Sequence, residues 1–390
     1  MFSGLISKFS ETSKEFTEFE RLFAPENKSL RRLVFFAESP IQYRYYEDYL
    51  QYILKASDLE ICYLASTIDD PIFASKEKRI KPFFIKNLLS KTFEKLDSNA
   101  LVIANPDLGK GPFKRAPDSV HHIYAFRGIA SVHQAYRLGA FDNYDAMLCV
   151  GEYQVAEFRK MEELYQTRKK ELVVTGYPLV ERVWREHQDY LQTAQANAEP
   201  ICLLAPSWDP VGRSSILETC IEQVIDKLSG ENFKVWIRPH PEFAKRFPKR
   251  IEEVAKLAAK TKNISMQLNL ASMTCLHQAD ILLTEHSSIS MDYVLGTERP
   301  VVFINTPLRV DNPEWQRLGL PAVENVYRQE LGAALELSEL DKLAQTLNRL
   351  LAGDPEFKKR LPALRDVLVA NWQKAAQIGG DYIISKARKN

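Results

Sequence analysis

Short apolar runs alternate with longer stretches of helical periodicity along most of the chain. In the first half the runs are Leu33-Val34-Phe35-Phe36, Ile61-Cys62-Tyr63-Leu64, Leu101-Val102-Ile103, His122-Ile123-Tyr124-Ala125-Phe126, Ala146-Met147-Leu148-Cys149-Val150 and Leu172-Val173-Val174. Their lengths and flanking turn residues predict buried strands. Residues 43–54 behind Ser39-Pro40, residues 82–96, and the stretch through Phe158 and Leu164 predict helices. Alternation of this kind argues for a mostly parallel sheet with helices on both faces. The series ends at Thr175-Gly176-Tyr177-Pro178.

Residues 185–199 are polar and carry no strand signal, which places a linker there. A second alternating series follows. Ile201-Cys202-Leu203-Leu204 is a strand, and Ser214 caps a helix with Ile216, Cys220, Val224 and Leu228 on one face. Phe233 to Ile237 is a strand, residues 248–260 a helix, and residues 264–268 a short strand. Ile281-Leu282-Leu283 and Val301-Val302-Phe303 complete the strands. Ser287 and Ser288 open a helix between those two, and Gly296 closes it. Residues 351–390 read as helices interrupted near Pro355 and Pro362. A chain of 390 residues exceeds a usual single core. The expected division is 1–190, then 191–350, with the helices of 351–390 packing back across the interface.

Composition narrows the class. Apolar residues make up 45% and charged residues 26%, ordinary for a soluble globular protein. A net charge of +1 gives no global pull toward nucleic acid, so any anion site is local. The five cysteines, Cys62, Cys149, Cys202, Cys220 and Cys275, form no Cys-X-X-Cys pair and read as buried thiols of a cytoplasmic protein. There is no secretory signal and no run long enough to span a membrane. The N-terminal stretch sets Phe2, Leu5, Phe9, Phe16, Phe19 and Phe23 among Lys and Glu. Packing on the protein's own body is the favoured reading, and an amphipathic helix resting on a membrane the other.

Candidate chemistry collects where strands end, the edge at which open α/β sheets bind ligands. Ser287-Ser288 at a helix start offers backbone N–H groups and hydroxyls to a phosphate. Arg238-Pro239-His240-Pro241 follows a strand, and its prolines stiffen the turn. Arg238 presents a planar fork for phosphate, while His240 donates to phosphate or moves a proton near neutral pH. Pro206-Ser207-Trp208-Asp209-Pro210 ends the first strand of the second series. Stacking on a base and covering core are equal readings of Trp208. In the first half, Arg127 and His133 flank the close-approach residue Gly128 and are candidates for a facing wall; an ordinary turn explains them equally well. Gly109-Lys110-Gly111 lacks the rest of a phosphate-binding loop, and His121-His122 is too short a cluster for a metal. No Asp-X-Asp is present to anchor a metal-bound nucleotide.

Together these pieces resemble the CDP-glycerol glycerophosphotransferases of teichoic acid and capsule synthesis. The resemblance rests on Ala205-Pro206-Ser207-Trp208, Arg238-Pro239-His240-Pro241, and Ala279 to Ser288 with Asp292 and Arg299-Pro300-Val301, in the family's order. It covers residues 120–305, including Thr175-Gly176-Tyr177-Pro178. Two places depart from the family. Phe126-Arg127-Gly128-Ile129 stands where the family has a Trp-His-Gly-Thr-like turn, so Arg127 replaces a candidate base. Glu285-His286-Ser287-Ser288 stands for Asp-Tyr-Ser-Ser, keeping the acid and both serines.

The resemblance implies an α/β GT-B architecture, two Rossmann-like domains facing across a cleft. It implies a CDP-glycerol or related nucleotide donor bound by Arg238, Ser287, Ser288, Glu285, Asp292, Ser207 and Trp208. His240, with Arg127 and His133, would carry the chemistry. The implied acceptor is a lipid-linked or polymeric saccharide at the membrane surface, with peripheral attachment to the inner face. No cofactor, metal or nucleic acid is implied. One alternative is a GT-B glycosyltransferase using a CMP- or UDP-sugar in capsule assembly. The other is a non-catalytic nucleotide-binding scaffold, which Arg127 favours and His240 with the serines opposes.

Overall fold

The computed structural model describes residues 2–195, 197–210, 214–269 and 273–388, with side chains from residue 11 onward. The first series builds a parallel sheet of β1 (Leu33–Ala37), β2 (Ile61–Ala65), β3 (Ile80–Phe84), β4 (Ala100–Ile103), β5 (His121–Ala125), β6 (Ala146–Cys149) and β7 (Glu171–Val174). The strand order is β3-β2-β1-β4-β5-β6-β7. Every residue of β1 and β2 is buried, as parallel strands covered on both faces require. The Tyr46 hydroxyl ties the sheet to its helix Tyr43–Ala56, donating to the Phe36 carbonyl and accepting from the Ala104 N–H, each at 2.7 Å.

The second series builds a six-stranded parallel sheet of β8 (Ile201–Leu204), β9 (Lys234–Ile237), β10 (Ile264–Met266), β11 (Ile281–Thr284), β12 (Val301–Asn305) and β13 (Gly332–Glu336). Its order is β10-β9-β8-β11-β12-β13. The direction of winding reverses between β8 and β11. At such a switch point the strand tails diverge and leave room for a ligand.

The chain divides into two compact units. The first holds Met1–Arg127, Tyr136–Leu179 and Val369–Asn390; the second holds Gly128–Ala135 and Val180–Leu368. The sequence puts the boundary near 190, but the helix Pro178–Thr193 runs through that point. The chain returns to the first unit at Val369, where the helix Ala375–Ala387 packs on the helix Tyr43–Ala56. Gly379 and Gly380 make this possible, since a Cβ at either would lie 2.4 Å from the ring of Tyr49 or Tyr52.

Several local expectations are corrected. Residues 82–96 are not one helix: β3 occupies Ile80–Phe84, and the helix is Leu89–Lys95. Pro82 sits in an edge strand, where a missing N–H costs little. The Ser214 helix is two pieces, Ile216–Thr219 and Ile221–Leu228, and Ser215 is the cap, accepting from the Leu217 N–H. Gly296 lies inside the helix Ile289–Thr297, where it lets Val183 approach closely. Glu298 ends that helix in the left-handed region. Pro355 begins a helix, and Pro362 lies within it. All five cysteines are free and buried. Of the N-terminal phenylalanines, Phe2 lies in the helix Phe2–Phe23, but its side chain, like those of Leu5 and Phe9, is outside the described residues. Further along, Glu15 accepts the Lys86 and Leu88 N–H groups at 2.7 Å, Leu22 is buried, and Phe16 is 55% exposed.

Candidate active site

β9, β8 and β11 are neighbours, so their carboxyl ends carry the Arg238–Pro241, Ala205–Asp209 and Glu285–Ser288 turns side by side. His240 is the N-cap of the helix Pro241–Arg246; its Nδ1 accepts from the Glu242 N–H at 3.1 Å. In the neutral ring the proton therefore sits on Nε2. The imidazole is half-buried and stacks on Trp208, with centroids 6.1 Å apart and planes 29° apart. Arg238 is buried beside it.

Trp208 packs against the core of this unit. The guanidinium of Arg246 lies over its ring at 5.0 Å and that of Arg309 at 5.8 Å. Cation–π contact and the His240 stack thus engage the indole. Arg309 is held in turn, donating to the Trp208 carbonyl at 3.0 Å and to Asp311. Sequence reasoning missed both arginines; nothing in their spacing marks them as partners of Trp208.

Ser288 precedes the helix Ile289–Thr297, but its hydroxyl makes no capping bond. It is exposed, and Ser287 is half-buried. Ser290 caps the Ser287 carbonyl instead, at 2.8 Å. Asp292 is buried in the helix. Gly128 abuts this helix start: a Cβ there would lie 3.2 Å from the Ser288 Cβ. That close approach explains why glycine occupies position 128.

Glu285 is fully buried, and its Oε1 accepts both the Ser207 N–H and the Ser207 hydroxyl at 2.7 Å. Burial drives its pKa up to about 7, although the Ser207 bonds favour the anion. His286 donates from Nε2 to the Thr306 carbonyl at 3.0 Å, and Arg328 approaches its Nδ1. Burial foremost, then the Arg328 charge, lowers its pKa to about 4, so the ring is neutral. Arg328 also bonds Asn305 at 2.7 Å. No sequence signal pointed to Arg328.

The first-half candidates separate. Arg127 closes the first unit's β5 turn, half-buried among Tyr124, Tyr136 and Tyr45. Burial opposes its charge, but the phenolic oxygens around it outweigh that and hold its pKa above the ordinary value. It is a permanent cation. His133 lies with Gly128 in the second unit. It is fully buried, with Nε2 against the Leu320 carbonyl at 3.2 Å and its ring near Trp315. Among the described residues, no group of three His, Cys, Asp or Glu is arranged to hold a metal.

Two doubly wound parallel-sheet units in one chain, with polar turns gathered at the second unit's switch point, define the GT-B class of α/β protein. Within that class the chain matches one family: residues 130–310 fit CDP-Glycerol:Poly(glycerophosphate) glycerophosphotransferase, as the motifs led us to expect. Solved structures agree in fold. The wall teichoic acid polymerase TagF superimposes with a TM-score of 0.62 at 15% identity, covering 98% of both chains. A glycosyltransferase from Rickettsia africae gives 0.55 at 14% identity over 92% of this chain and 99% of that one. A UDP-GlcNAc 2-epimerase from Neisseria meningitidis, bound to UDP-GlcNAc, gives 0.57 at 12% identity over 92% and 99%. Comparison with curated proteins finds no match.

Proposed function

We propose that this protein transfers glycerol phosphate from CDP-glycerol to a hydroxyl of a lipid-linked or polymeric saccharide, releasing CMP. The observation that carries the reading is the placement of His240, Ser207 and the Ser287-Ser288 helix start on three adjacent strand tails, within the family match. A TagF variant soaked with CDPG is among the similar structures, which supports the choice of donor.

The second unit takes the donor. Its diphosphate meets Arg238, the Ser287 and Ser288 hydroxyls, and the N–H groups at the helix start. The acceptor oxygen attacks the phosphorus bearing glycerol, the bond from that phosphorus to the bridging oxygen breaks, and CMP leaves with the electron pair. The neutral His240 ring, protonated on Nε2, donates to the departing phosphate, and the acceptor proton passes through solvent to bulk; His240 takes that proton only in the other tautomer, which breaks the bond from the Glu242 N–H. Orientation and neutralisation of charge dominate such a transfer. Arg127 cannot serve as base; it contributes fixed positive charge. His133, fully buried with Nε2 donating to the Leu320 carbonyl, is out of reach of an acceptor hydroxyl.

Among the described residues no helix is long and apolar enough to cross a membrane. We assign the protein a peripheral place on the membrane's inner face, through the Phe-rich N-terminal helix, which sets Lys8, Lys14 and Arg21 among four Glu. Turnover assays with CDP-glycerol against CMP- and UDP-sugars test the reading. Release of CMP from CDP-glycerol alone supports it; transfer only from a sugar nucleotide replaces it with glycosyl transfer.

A further inference from the structure

The tails of β8 and β11 stay joined beyond the sheet. The Ala205 N–H donates to the Leu283 carbonyl at 2.9 Å, and the Thr284 hydroxyl to the Ala205 carbonyl at 2.8 Å. The double bond from Ser207 to Glu285 Oε1 is the last link of this zipper. Trp208 follows at once, and His240 stacks on it. The Glu285 carboxyl therefore holds the Trp208 turn in register with the Ser287-Ser288 helix start.

Its second oxygen is the unusual part. Oε2 is buried and makes no hydrogen bond. An anion there would leave one charged oxygen unsolvated, whereas a carboxylic acid keeps Oε1 as acceptor for Ser207. Other charges do little to relieve the anion. Arg328 feels Glu285 but is engaged by His286 and Asn305. His286 is neutral, and the Cys220 thiol is pushed up, mainly by burial. Asp209, in the same turn, accepts from the Ser214 hydroxyl at 3.0 Å. The Ile216 and Glu285 backbone N–H groups lie near enough to the carboxyl to favour the anion, but neither reaches Oε2 with hydrogen-bond geometry.

We propose that Glu285 is a positioning residue that works as a neutral acid, and that its ionisation loosens the Ser207–Trp208 turn and sets a buried negative charge beside the donor diphosphate. The proton lost goes to solvent. Donor affinity then falls as pH rises through neutrality. This rests on the donor reading above, so the test has one arm that needs no donor.

The first arm is calorimetric binding of CDP-glycerol from about pH 6 to about pH 8.5, where its diphosphate diester gains and loses no proton. The native protein should weaken roughly three- to tenfold across this range, since one pKa unit of coupling is tenfold in affinity. Glu285→Gln, neutral at every pH, should keep the native affinity found at low pH and show no such slope. Glu285→Ala, which removes the acceptor for Ser207, should bind weakly throughout. Parallel slopes for native and Gln overturn the proposal.

The second arm is the thermal stability of native and Glu285→Gln without donor. A folded-state pKa of about 7 against an ordinary 4.5 means the native protein loses stability relative to Gln as pH rises from 4.5 to 7, and no more above that. A difference that does not change with pH overturns the neutral acid. The expected course without any CDP-glycerol binding overturns the donor reading and, with it, the positioning of a donor.

Discussion

The carboxyl edges of the two sheets are built from different materials. In the first unit, tyrosine hydroxyls lock the strand ends. Tyr46 bridges Phe36 and Ala104, Tyr144 bonds the Asn105 carbonyl, and Tyr124, Tyr136 and Tyr45 surround Arg127. In the second unit the same edge carries His240, the serine pair and the buried acid Glu285. Phenols at a strand end rigidify but do not exchange protons near neutral pH; burial pushes Tyr46, Tyr124 and Tyr144 further up still. On the proposed function, the groups that exchange protons near neutral pH belong to the second unit's edge, while the first unit's edge carries the fixed charge of Arg127. Arg127 in place of the family's histidine fits that division.

The strongest way to break the comparison is at His240. His240→Ala should lower turnover by about 10²–10⁴-fold with a much smaller effect on donor affinity. His240→Gln separates the roles, because it keeps a donor and loses the proton exchange. Recovery of most activity in Gln makes His240 a phosphate ligand and moves the base elsewhere. Near-normal turnover in both variants defeats the site.

A smaller effect is expected at the serines. Hydrogen bonds to charged groups are worth roughly 1.5–3 kcal/mol each, and neighbours are not additive, so Ser287→Ala with Ser288→Ala should weaken donor binding by about 30–100-fold. An unchanged nucleotide affinity removes the diphosphate from this helix start. Arg127→Met should cost roughly tenfold in turnover through the lost charge while donor affinity holds. A matching fall in donor affinity would erase the contrast between the two edges. The mildest effect concerns the N-terminal helix of the first unit. Sedimentation with anionic vesicles should show binding at low salt that high salt partly reverses, and a protein that stays in the supernatant at low salt refutes the peripheral assignment.

By itself the sequence determined most of the strands and marked the turns to which the proposed function assigns chemistry. The alternating runs name most of the strands, because a buried strand must be apolar over a short span and must stop at a turn. β3 and β13 escaped. Pro82 resembled a helix start, and Gly332-Ala333-Ala334 carries little apolar signal. The Arg238–Pro241 and Glu285–Ser288 motifs were legible because proline and serine act locally on the backbone. Tertiary structure alone decided which strand tails meet, since β9, β8 and β11 are neighbours in an order the chain does not follow. It alone joined Ser207 to Glu285 across 78 positions, stacked His240 on Trp208, and carried Gly128–Ala135 into the second unit. Those pairings depend on burial and on hydrogen-bond geometry between distant segments, and periodicity within a short window contains neither.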